Sequence, residues 1–73
     1  MFRIKEYFKV VSNKSSDRRV REAFPVGEVV CLFVDLKHAE TIGVKNSKNN
    51  EINFFKGEEI YNLTQGSVKL EDC

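Results

Sequence analysis

Side chains able to do chemistry are few in this chain, and they stand far apart. His38 is the only histidine, with Asp35 three residues before it and Glu40 two after. A general base needs a nucleophile within reach and a third group to orient it. His38 falls in the stretch Lys37-His38-Ala39-Glu40, which reads as a turn, so a solvated histidine is the expectation. Cys31 sits in an apolar run and Cys73 is the last residue. One histidine and two distant cysteines do not supply the three or four ligands of a zinc site. Gly27, Gly43, Gly57 and Gly66 are scattered and spell neither a phosphate loop nor a dinucleotide turn. The pair Glu58-Glu59 fits the first turn of a helix, where carboxylates meet the positive end of the dipole. No catalytic residue, metal site or cofactor is assigned, and the expectation is a protein that is not an enzyme.

What remains is charge and aromatic surface. Residues 1–21 hold seven cations (Arg3, Lys5, Lys9, Lys14, Arg18, Arg19, Arg21) against Glu6 and Asp17, a balance of +5. Residues 22–73 hold five lysines against nine acids, a balance of −4. Such asymmetry marks an interaction face, unless folding lays the two halves side by side. The candidate binding residues are Arg18, Arg19 and Arg21, with Lys5, Lys9 and Tyr7 beside them.

The elements that must position these residues are short. Phe2 to Val11 reads as a strand or as a helix. As a strand it places Phe2, Ile4, Phe8 and Val10 on one face and Arg3, Lys5 and Lys9 on the other. As a helix it aligns Ile4, Tyr7, Phe8 and Val11. The strand is favoured, at least over Tyr7 to Ser12. Ser12 to Glu22 has Val20 as its one large hydrophobe and reads as a loop, long for a compact domain. Pro25-Val26-Gly27 is a turn signal. It feeds Val29 to Asp35, β-branched and apolar on both faces, expected to be central and covered on both sides.

Thr41 to Asn46 should turn Ile42 and Val44 inward. Ser47-Lys48-Asn49-Asn50 reads as a hairpin loop, and Glu51 to Lys56 as the returning strand. Ile52 and Phe54 then share one face, and Asn53 and Phe55 the other. Glu58 to Asn62 suggests a single helical turn, Ser67 to Leu70 a short last strand, and Glu71 to Cys73 a frayed end. The two N-x-[ST] triplets, at Asn13 and Asn62, matter only in a secreted chain. With no apolar signal segment at the N-terminus and no run of membrane-spanning length, the expectation is a cytoplasmic protein with reduced cysteines and no membrane partner. Length argues for one domain over residues 1–73. Four or five short strands at about ten-residue spacing indicate an all-β small antiparallel barrel, closed so that its edges are hidden. An α+β fold with an N-terminal helix is the alternative.

The order of features resembles small SH3-like barrel proteins encoded in bacteriophage and prophage genomes. It is carried by Val10-Val11-Ser12-Asn13, Phe24-Pro25-Val26-Gly27-Glu28-Val29-Val30-Cys31-Leu32, Asp35, Val44-Lys45-Asn46 and the apolar strand Ile52 to Phe55. It covers roughly Tyr7 to Leu63 and implies an SH3-like fold and a viral origin. It brings no catalytic residue with it. For a viral domain of this size, the expected role is an accessory binding module that attaches to and modulates a host protein. The alternative is nucleic-acid binding through the basic N-terminal strand and the following loop, which the near-neutral net charge weakens. A homodimer formed through an open sheet edge is a further option.

Overall fold

Period-two alternation governs most of the chain, and the computed structural model turns it into five strands and two helices among the described residues. Backbone is described for residues 2–35 and 40–73, and side chains for residues 6–34 and 40–73. His38 therefore lies outside the described residues. In chain order the elements are β1 (Phe2–Asn13), α1 (Arg18–Ala23), β2 (Val29–Asp35), β3 (Thr41–Asn46), β4 (Ile52–Lys56), α2 (Gly57–Gln65) and β5 (Val68–Asp72). All ladders are antiparallel, in the order β4-β3-β2-β1-β5.

The N-terminal segment is a strand, not a helix, and it is the longest of the five. It serves two partners. Phe2 to Lys9 pairs with β2, and Phe8 to Asn13 pairs with β5. Between Val10 and Ser12 the register slips. The extra residue, Val11, is left exposed, and a bulge of this kind bends a strand from one partner to the next. The sheet is open. Its edges, β4 and β5, are joined by the nine-residue α2 rather than by a ladder, which corrects the expectation of a closed barrel.

The core lies on one face of this sheet, beneath both helices. Val10, Val30, Val44, Phe55 and Val68 from the strands meet Val20, Ala23 and Phe24 from α1 and its end, and Ile60 from α2. Phe24 and Phe55 pack with ring centroids 6.0 Å apart. Polar side chains hold the connections. The Asn13 side-chain amide donates to Val20 O (3.2 Å) and Phe24 O (2.9 Å), and its Oδ1 accepts from Ser15 N. Asn46 is buried, donates to Glu28 Oε1 (3.1 Å) and accepts from Lys48 N (2.8 Å). The two expected turns are present, with Gly27 at φ 89° and Asn50 at φ 61°, the left-handed region that Gly and Asn tolerate.

Three other expectations change. Ser12 to Glu22 is not a loop: strand continues to Asn13, and Arg18–Ala23 is helical. Asp17 caps that helix, its carboxylate accepting from Arg19 N at 2.8 Å, and Val20, Ala23 and Phe24 make the i, i+3, i+4 stripe of one turn. The helical turn after β4 extends to Gln65 because Ile60 and Leu63, three apart, reach the core. Residues 71–72 do not fray: both are in β5, and Cys73 N donates to Tyr7 O at 3.3 Å. Among the described residues, no helix is long and apolar enough to cross a membrane.

Candidate functional site

The six candidate binding residues do not form one surface. Arg18, Arg19 and Arg21 lie on α1, on the core side of the sheet. Arg18 pairs with Glu22 one turn later (3.2 Å), both exposed. Arg19 reaches across to β4. Its Nη2 donates to Phe54 O (3.1 Å), its guanidinium lies 4.3 Å from the Phe55 ring centroid, and Glu59 of α2 is 3.7 Å away. That geometry makes Arg19 a strap between α1, β4 and α2. It also places one acidic residue of the C-terminal half against the arginine segment. Arg21 is exposed beside Asn13, Phe24, Pro25 and Val26 and has no ion-pair partner among the described residues. The three arginines, all exposed on one short helix, are thus engaged in three different ways.

Tyr7 and Lys9 belong to a different surface, the outward face of the sheet. Alternation puts Phe8, Val30, Leu32, Ile42, Val44 and Phe55 on the core side, so their neighbours face out. The ladder registers align those neighbours in rows. One row is Lys5, Phe33, Gly43 and Phe54; the next is Tyr7, Cys31, Lys45 and Ile52. Lys9 stands one step further along β1, opposite Val29 on one side and Glu71 on the other. Lys5 enters here by register alone, since its side chain is outside those described. Directly opposed residues in antiparallel strands are close neighbours. With strands about 4.8 Å apart, Tyr7 and Ile52 stand about 14 Å apart at the row's ends.

The centre of this face is a buried floor. Cys31 is 5% exposed and Phe33 3%. β2 is thus central in the sheet and buried on both faces, as its apolar run led one to expect. A flanking side chain supplies part of that cover. Phe33 meets Phe54 edge to face at 6.3 Å and 90°. The far end of its ring also lies against Gly43, where a side chain would overlap it. Around the floor, Tyr7 (52% exposed), Phe54 (49%) and Ile52 (41%) stand up into solvent. A hollow of about 280 Å³ lies between Tyr7 and Ile52, lined also by Cys31, Phe33, Lys45, Ser47 and Asn50. Neither Lys9 nor Lys45 is held in an ion pair among the described residues.

Sequence reasoning found Tyr7 and Lys9 on this face but missed Lys45, Cys31, Phe33, Ile52 and Phe54. The signal for Ile52 and Phe54 was available, because their face of β4 was separated from that of Phe55. What alternation cannot say is that β1 to β4 lie side by side, in registers that align those residues. No group of three or more His, Cys, Asp and Glu side chains is placed to hold a metal ion among the described residues. Comparison of the chain with protein-family models, with curated proteins and with solved structures finds no match.

Proposed function

We propose that this protein is a small non-enzymatic binding module, built on an SH3-like scaffold, that takes single-stranded nucleic acid on the outward face of β1 to β4. The strand order β4-β3-β2-β1-β5, with a helical link between β4 and β5, supports the SH3-like reading. The bacteriophage origin rests on the sequence resemblance alone. The observation that carries the function is one surface: half-exposed Tyr7 and Phe54, with Lys9 and Lys45 uncommitted between and beside them. Flat rings accept bases regardless of sequence, and lysines track the phosphates. Near-neutral net charge makes the binding modest and salt-sensitive.

The test is a titration of a fluorescent single-stranded oligonucleotide, read by anisotropy at several salt concentrations. Tyr7→Ala and Phe54→Ala should each weaken binding by ~1–3 kcal/mol. Lys9→Ala and Lys45→Ala should each lower the salt slope by ~0.7. If Arg18→Ala and Arg21→Ala abolish binding while the sheet-face variants do not, the site is misplaced. No binding at low salt overturns the nucleic-acid reading. The second reading is a host-protein partner, favoured by the hollow, whose apolar floor suits one inserted side chain.

A further inference from the structure

β5 ends the sheet beside β1, and no described strand pairs with its far side. Ladder alternation says which of its backbone groups are free. Cys73 N donates to Tyr7 O, so in this strand the odd-numbered residues turn their N–H and C=O groups toward β1. Val68, Leu70 and Asp72 then turn theirs to the open edge. Exposed edges of this kind recruit further strands unless charge deters them. β5 reads Val-Lys-Leu-Glu-Asp, with Lys69, Glu71 and Asp72 exposed and Leu70 half-buried.

We infer that a second copy of this chain pairs with β5, antiparallel and centred on Leu70. In that register Leu70 opposes Leu70 of the other copy as a hydrogen-bonded pair. Lys69 opposes Glu71 on both sides of the axis, giving two opposite-charge cross-strand pairs. The neighbouring in-phase registers lack this match. Centring on Lys69 sets Lys69 against itself, and centring on Glu71 sets Glu71 against itself, so both oppose like charges. The charges that guard this edge against other strands thus become complementary to their own copy.

A two-fold axis through such a ladder stands perpendicular to the sheet, so the two outward faces lie on one side of a ten-stranded sheet. The dimer itself does not depend on the nucleic-acid reading. If that reading holds, two platforms on one side bind a longer strand with effective-concentration gain. Cys73 is three residues from the axis, so the two thiols stand roughly 20 Å apart at ~3.4 Å per residue, beyond disulfide reach.

Sedimentation equilibrium over a concentration series, in reductant, tests the pairing. A monomer–dimer equilibrium is expected. Lys69→Glu and Glu71→Lys should each raise the dimer dissociation constant by about tenfold or more, since like charges then face each other. The double variant Lys69→Glu/Glu71→Lys should restore most of the lost association. Glu71 also faces Lys9 within the chain. That contact is the same in Glu71→Lys and in the double variant, so recovery between them reports the intermolecular pairs. Circular dichroism shows whether each variant is folded. A wild-type chain that is monomeric throughout, or a folded double variant that associates no better than its parents, overturns the proposal. Oligonucleotide binding is scored separately on monomer-only variants, so failure of one reading leaves the other to be judged on its own result.

Discussion

Gly43→Ala should destabilise this protein and disturb its outward face together. Gly43 sits in the row Lys5-Phe33-Gly43-Phe54, against the far end of the Phe33 ring. A methyl group there would meet Cζ, Cε2 and Cε1 of Phe33, and even the farthest of these would be only 2.8 Å away. The backbone at Gly43 is not in the left-handed region, so the conflict is steric and not conformational. Overpacking of a buried site costs typically ~1–3 kcal/mol. Loss of glycine's freedom in the unfolded chain returns ~0.4–1 kcal/mol. The net runs from ~0 to ~2.6 kcal/mol and centres on ~1.3 kcal/mol, a sizeable part of the ~3–5 kcal/mol available to a domain this small. With a urea slope of ~1 kcal/mol/M, the midpoint should fall by ~1 M. A Phe33 ring displaced by the new methyl group loses its edge contact with Phe54, so oligonucleotide affinity should fall in the same variant. Phe33→Leu in the Gly43→Ala background shortens the obstructing side chain, and the double-mutant cycle should show favourable coupling of at least ~0.5 kcal/mol. An unchanged or higher midpoint for Gly43→Ala, or a cycle that closes additively, refutes the account of Phe33 as a ring held against a glycine.

Other expectations follow from single contacts. Asn13→Ala strips the end of α1 of two donated hydrogen bonds, to Val20 O and Phe24 O, and should lower stability by ~1–3 kcal/mol in thermal or urea unfolding. Arg19→Ala should cost ~1 kcal/mol through its ring contact and its bond to Phe54 O; a stability loss that disappears in high salt would instead assign Arg19 to surface charge. Asn50→Gly should be near neutral and Asn50→Ala destabilising by ~1 kcal/mol, because φ is 61° there; equal midpoints for the two would exclude a left-handed requirement.

Much of the strand content was legible, because β2, β3 and β4 alternate or run apolar over the lengths strands need. Turn chemistry was legible too, at Gly27 and Asn50. The helix at Arg18–Ala23 was read as loop because its apolar stripe is a single turn and its flanks are polar. The capping Asp17 and the spacing of Val20, Ala23 and Phe24 were nonetheless present. The length of β1 was ambiguous, since Tyr7, Phe8 and Val11 satisfy a helical stripe as well as a strand. Pairing with β2 and β5 on its two sides supplies backbone partners that only the extended form can use.

By itself, then, the sequence determined local geometry: where the chain extends, where it turns, and that its cations gather early. Which cations share a surface was decided only in three dimensions. Arg18, Arg19 and Arg21 are consecutive or nearly so, yet one is paired along its helix, one straps α1 to β4, and one stands apart. Tyr7, Lys9, Lys45 and Phe54 span most of the chain, yet ladder registers set them on one face. The physical reason is that hydrogen-bonded registers act between segments far apart in sequence, and a slip of one residue would send every one of those side chains to the other side.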